Sequence, residues 1–216
     1  MPTNWSLIEG LKPAWDCFIT KIYPEFIQMD AQKMCPPPQK VLRALQETDM
    51  EQIKVVVLGM DPYHNGAATG LCFHVEEGAK IPGSLRNIQS KIYEETGQKG
   101  DLASWPGQNV LMLNTALTTQ RGVAGANMKL WEPFTEEVLR YLDTQDDIVW
   151  LLWGANARDI VKRIIKNPTH RFIISSHPSP LSYHKPLGKY PAFKDSVPFG
   201  KANKILAEKG KTPIQW

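Results

Sequence analysis

Apolar positions gather in four short, nearly continuous runs, at residues 53–58, 110–113, 148–153 and 171–175. Runs of Val, Ile, Leu and Trp without polar alternation predict strands buried on both faces of a parallel sheet. Between them, residues 85–96, 134–142 and 155–165 read as amphipathic helices; in the last, Ile160, Ile164 and Ile165 recur at helical spacing. Pro133 reads as a first-turn residue ahead of Phe134, with Glu136 and Glu137 near the positive helix end. The N-terminal third adds helices over 15–23 and 41–45, with Pro36-Pro37-Pro38 in the connection. This alternation predicts an α/β fold: a three-layer α/β/α arrangement around a central, mainly parallel four-stranded sheet. At 216 residues, positions 1–216 are expected to form a single domain.

Polar residues follow each strand. After Leu58 comes Gly59-Met60-Asp61-Pro62-Tyr63-His64, after Leu113 Asn114-Thr115, after Trp153 Gly154-Ala155, and after Ser176 His177-Pro178-Ser179-Pro180-Leu181-Ser182. Open parallel sheets bind ligands in the crevice outside the carboxyl ends of their strands, so these distant segments are expected to meet in one pocket.

Composition narrows the class. An apolar fraction of 42% can fill a core, and 22% charged residues is ordinary for a soluble chain. No stretch approaches the roughly 20 apolar residues that span a bilayer, and no secretory pattern stands at the N-terminus, so an intracellular protein is expected. Cys17, Cys35 and Cys72 fit neither a disulfide framework nor a zinc site, and no histidine pair has hydrolytic-metal spacing. The expectation is a metal-free, cofactor-free protein. The net charge of +3 is compatible with a polyanion without requiring one. From Lys185 onward, Lys185, Lys189, Lys194, Lys201, Lys204, Lys209 and Lys211 face only Asp195 and Glu208, either as a solvated face or as a DNA-binding one.

Taken singly, the candidate residues admit two readings. Asp61 is a turn aspartate or a carboxylate that orients water or stabilises a nearby cation; His177 is structural or functional; Asn114 caps a turn or reads a base edge. The stretches around them decide. Residues 53–64, ending Gly59-Met60-Asp61-Pro62-Tyr63-His64, resemble the water-activating motif of family-1 uracil-DNA glycosylases, and His177-Pro178-Ser179-Pro180-Leu181-Ser182 matches that family's minor-groove loop. Gly70-Leu71-Cys72-Phe73, Pro82-Gly83-Ser84-Leu85-Arg86-Asn87, Leu111-Met112-Leu113-Asn114, Trp131-Glu132-Pro133-Phe134-Thr135 and Leu152-Trp153-Gly154-Ala155 fall between them in the family's order. The resemblance runs from Pro38 to Asn203.

The resemblance implies a base-excision-repair enzyme that flips uracil out of single- or double-stranded DNA and hydrolyses its N-glycosidic bond. It casts Asp61 and His177 as catalytic, the first positioning water and the second, as a neutral imidazole, hydrogen-bonding uracil O2. It places the Met60 main chain, Tyr63, Phe73 and Asn114 around the base, Tyr63 against C5 and Phe73 stacked on the ring. Leu181 becomes a wedge, Ser84, Ser179, Ser182 and Lys185 contact DNA, and His64 supports its loop. It also implies a monomer, with a replication partner or a proteinaceous inhibitor as further partners.

The chain departs from the pattern in places. Met60 stands where the family has glutamine, and activity is expected to survive on the main-chain N–H. Loops 65–69 and 121–130 are shorter than usual, and Tyr183 to Phe193 replaces the common run after Ser182. Two rivals remain: a DNA-tethering accessory subunit, against which Asp61, Asn114 and His177 together speak, and a glycosylase for another base, against which Tyr63 speaks.

Overall fold

The computed structural model describes residues 30–216; the helix expected over 15–23, and Cys17 with it, lies outside the described residues. The elements, in chain order, are β1 (Met34–Cys35), α1 (Arg43–Glu47), β2 (Val55–Gly59), α2 (Gly83–Thr96), β3 (Val110–Asn114), β4 (Thr119–Gln120), α3 (Met128–Asp143), β5 (Val149–Trp153), α4 (Ala155–Ile164), β6 (Arg171–Ser175) and α5 (Pro198–Glu208), with short 3-10 turns between them.

The central sheet has the order β3-β2-β5-β6, and every neighbouring pair is parallel. β2, β3 and β5 are buried at every residue, as their unbroken apolar runs predict. Each such side chain taken fully out of water contributes roughly 1.5–3 kcal/mol to stability. β6 differs from the expectation: it is an edge strand, exposed at Arg171 and Phe172 and buried only at Ser175. Three apolar residues in a row, Phe172 to Ile174, do not reveal whether a neighbour lies on both sides.

The chain leaves β2 toward one edge through α2 and then crosses back toward the other through α3 and α4. Right-handed crossovers in opposite directions place their helices on opposite faces. Accordingly α2 packs with α5 and α3 with α4, giving the three layers. α3 buries Trp131, Phe134, Val138 and Leu142, and α4 buries Ala157, Val161 and Ile164, each set one helical face. α2 ends where Gly97, at φ 70°, returns its N–H to the Tyr93 carbonyl at 2.8 Å.

α3 starts at Met128, earlier than the sequence suggested, so Pro133 is inside the helix rather than at its first turn. Trp131 is 1% exposed and shares the buried face with Phe134, and that packing extends the helix through the proline despite its missing N–H. The short helix expected over 41–45 forms two residues later, after a 3-10 turn at Pro38–Lys40. The first buried strand likewise begins at Val55 rather than at residue 53. The two-residue antiparallel pair β1–β4 is too short to leave a pattern.

Candidate active site

The crevice is built by strands that part company. β2 and β3 stay in register to Gly59↔Asn114, whereas β2 and β5 stop pairing at Val57↔Leu151. Their following helices lie on opposite faces, which opens the sheet at this switch point. A cavity of about 350 Å³ fills the opening, at the small end of ligand pockets.

At the end of β2 the main chain is fixed from one side. The Gly59 carbonyl accepts from Thr115 N–H (3.0 Å), and the Met60 carbonyl accepts from Ala116 N–H (2.9 Å) and the Thr115 hydroxyl (2.7 Å). Across a trans peptide the Met60 N–H must then point the other way, into the gap toward β5. The Met60 side chain is 38% exposed at the cavity. Asn114, 4% exposed, lays its amide directly over Gly59: a Cβ there would stand 2.2 Å from Asn114 Oδ1 and 2.9 Å from Cys72 Cβ. Gly59 is therefore the only residue type that leaves that amide in place. Asp61 Oδ2 accepts from Gly125 N–H at 2.6 Å, which aims the carboxylate from behind.

The opposite wall is aromatic. Phe73 adopts φ 63°, a left-handed conformation that costs a bulky residue about 1–2 kcal/mol. Its ring lies 5.3 Å from Trp153 and 5.6 Å from His177, centroid to centroid. Strain held in place by packing at a cavity is a mark of a functional position. Tyr63 has its hydroxyl buried beside Ser84 without a well-formed hydrogen bond, and burial pushes the phenol up, so it stays protonated.

His177 Nδ1 accepts the Ser179 N–H at 3.0 Å. A ring nitrogen that accepts carries no proton, so the neutral imidazole bears its hydrogen on Nε2. Burial holds His177 below the usual histidine value and keeps it neutral. Gly154, at φ 101°, lies against the same ring, where a Cβ would stand 3.2 Å from His177 Cβ.

The family model for the uracil DNA glycosylase superfamily matches residues 45–207, a span that takes in every one of these positions.

The chain belongs to the uracil DNA glycosylase superfamily.

Among superfamily relatives, a uracil-DNA glycosylase of Streptococcus suis (strain 05ZYH33) is 44% identical over 186 residues, 84% of this chain and 82% of that protein. One from Streptococcus pneumoniae (strain P1031) is 42% identical over 215 residues, 97% of this chain and 93% of its own. The crystal structure of mimivirus uracil-DNA glycosylase superposes with a TM-score of 0.85 at 30% identity, covering 97% of this chain and 88% of that one.

In this superfamily member the expected site residues divide into two groups. Met60, Asp61, Tyr63, His64, Phe73, Ser84, Asn114 and His177 line the cavity together. Ser179, Leu181, Ser182 and Lys185 lie outside its lining, on the loop after His177. Leu181 is 81% exposed, the most exposed large apolar side chain among the described residues. Its turn is rigid: Ser182 and Tyr183 N–H both donate to the Ser179 carbonyl (2.9 and 2.8 Å), and the Ser176 hydroxyl donates to the Ser182 carbonyl (2.9 Å). Ser84 is brought to this loop by packing, since a Cβ on Gly83 would stand 2.4 Å from Pro180, and the Asn87 amide donates to the Pro178 carbonyl at 2.7 Å.

His64 is exposed, and its main-chain carbonyl takes Gly122 N–H at 2.9 Å. The two shortened loops touch here: a Cβ on Gly66 would stand 2.5 Å from the Arg121 guanidinium. Sequence reasoning missed His74, which lines the cavity, meets Thr69 Oγ1 at 2.8 Å and is lowered by burial. It also missed Trp153, Asn156 and the Gly125 N–H. Only the position of Trp153 at a strand's carboxyl end carried a signal. Among the described residues, no group of three or more His, Cys, Asp or Glu could hold a metal, and no helix is long and apolar enough to cross a membrane.

Proposed function

We propose that the cavity receives a uracil extruded from DNA, and that the chain hydrolyses the bond joining that base to its sugar, leaving free uracil and an abasic site. The observation that carries this reading is the meeting of Asp61, Asn114 and His177 in one cavity, with the exposed Leu181 four residues beyond His177. The streptococcal and mimivirus relatives bear the name of the same activity.

Extruding a base costs a few kcal/mol, and Leu181 is suited to fill the gap it leaves. Ser84, Ser179 and Ser182 would hold phosphates on either side, aided by Lys185. Inside, Phe73 would stack on the ring. The Asn114 carbonyl would accept from N3–H while its NH2 donates to O4; cytosine presents the opposite pattern and leaves that buried amide unpaired. Tyr63, held in place by burial, would stand against C5, where the methyl of thymine clashes.

As the glycosidic bond stretches, negative charge collects on uracil O2 and positive charge on the sugar. The Met60 N–H and the His177 Nε2–H are donors available to the oxyanion, and a neutral His177 stabilises it without transferring its proton. Asp61, anchored through Oδ2 by Gly125, would present its other oxygen to the attacking water and to the cationic sugar. None of these roles calls for a cofactor or metal. Methionine at position 60 removes a side-chain amide but leaves the N–H in use. A monomer acting inside the cell is proposed with this role. A mimivirus UNG variant in complex with UGI, superposing at a TM-score of 0.84 and 31% identity, supports an inhibitor protein as a further partner.

The test is alkali-induced scission of a labelled oligonucleotide carrying one uracil, beside thymine and cytosine controls, with EDTA present. Scission at uracil alone is expected. Folded protein that binds DNA yet leaves uracil intact would overturn the reading in favour of an accessory subunit.

A further inference from the structure

The segment after Ser182 takes no part in the cavity, yet specific contacts order it. At its base, Ser176 N–H donates to the Pro191 carbonyl (3.0 Å) and Lys194 N–H to the Tyr183 carbonyl (3.1 Å). Tyr183 leans on Phe193 (6.0 Å), Phe193 on Trp153 (5.3 Å) and Trp153 on Phe73 (5.3 Å). A row of aromatic rings thus ties the segment to the cavity wall. At its tip, Leu187 and Tyr190 exchange two main-chain hydrogen bonds of 3.0 Å, with Gly188 at φ 58° making the turn.

The side chains of this hairpin are unusual in sign. From Ser176 to Lys194 the chain carries no carboxylate, but it carries Lys185, Lys189, Lys194 and His184. Lys185 and Lys189 are exposed and, among the described residues, neither has a carboxylate partner. Tyr190 gathers cations: its hydroxyl accepts from Lys162 at 2.6 Å, and the Lys162 and Lys189 ammonium groups lie 5.0 and 5.7 Å from its ring centre. Asp159, the carboxylate within reach of Lys162, is already held by Arg158 at 2.7 and 2.9 Å, so the arm's own Lys185 and Lys189 have no anion among them. The arm continues the loop that presents Leu181, so the polyanion beside it is DNA.

We infer that the 185–190 hairpin is a second DNA-contact arm, in which Lys189 extends the phosphate contact of Lys185 beyond the nucleotides held at Leu181, with the Lys162–Tyr190 pair as the post that positions Lys189. This rests on the proposed function only in taking DNA to dock over Leu181.

Binding of the full chain to a duplex carrying an uncleavable abasic-site analogue, followed across KCl concentrations, tests it. Each phosphate contact contributes about 0.9 to the slope of log K against log salt. Lys185→Ala/Lys189→Ala is expected to flatten the slope by nearly 2, and Tyr190→Ala by up to about 1 with both lysines still present. Lys99→Ala should match wild type, because Lys99 lies past the far end of α2, a 14-residue helix about 21 Å long that starts at the cavity. Uracil release from a single-stranded trinucleotide, too short to reach Lys189, should keep its wild-type rate in Lys189→Ala. An unchanged slope in the double variant, with uracil still released, overturns the arm alone. An unchanged slope in Tyr190→Ala overturns the post. Wild-type protein that releases no uracil overturns the glycosylase reading instead, whatever the slopes.

Discussion

Gly59 shows how one residue sets the site. The Asn114 amide occupies the volume where any Cβ at position 59 would go, so Gly59→Ala must push the amide or Cys72 aside. We expect a loss of about 1–3 kcal/mol in urea unfolding, as for overpacked cores. Uracil excision should fall at least a hundredfold, since a recognition group displaced by about 1 Å can cost that much; a wild-type rate and midpoint would refute the reading. Tyr63 carries a prediction of the opposite kind. Removing its ring opens space where a 5-methyl group would sit, so Tyr63→Ala should begin to release thymine from DNA while its uracil rate drops. Continued absolute rejection of thymine, with uracil still cleaved, would mean that another group excludes it. Asp61, Asn114 and His177 could be named from sequence only because motifs surround them. The Nε2–H tautomer of His177 could not, because it follows from a hydrogen bond to Ser179 that folding creates.

Among the elements, strands and loops contributed differently. The strands end where apolar runs give way to polar residues, so the carboxyl-end placement of Asp61, Asn114 and His177 was legible. Helix starts were less so: α3 runs through Pro133 because Trp131 finds a buried site, a tertiary gain that outweighs local propensity. The Leu181 turn is the element with the clearest separable role. It is held by its own main chain and by Ser176, while the Leu181 side chain buries little. Leu181→Ala should therefore leave the thermal midpoint within a degree or two, as for surface substitutions. It should slow excision from duplex DNA about tenfold or more and from single-stranded DNA much less, because only the duplex must be unstacked. Equal slowing on both substrates would argue that Leu181 does not act as a wedge.

For the whole molecule, burial acts on several histidines at once. His74, His170 and His177 are each lowered from 6.5, with desolvation the largest cause. Folded, they bind protons less readily than in the unfolded chain, so their contribution to stability is complete above about 6.5 and is lost as pH falls through the folded values. The urea midpoint should drop between pH 7.5 and 5.5, a range in which ordinary carboxylates scarcely titrate; a flat profile would contradict it. By itself the sequence determined which segments become the parallel strands, that polar residues follow each strand, and the motif order that places the chain in its superfamily. These are local properties, written in apolar runs and in short neighbouring residues. The tertiary structure alone decided that β6 is an edge, that β2 and β5 part after Val57↔Leu151 to open the cavity, and that Gly125 reaches Asp61. It also decided that the segment after Ser182 closes into a hairpin against Lys162. Each of these joins residues far apart in the chain, and such contacts are fixed by which surfaces are left to pack once the sheet has formed.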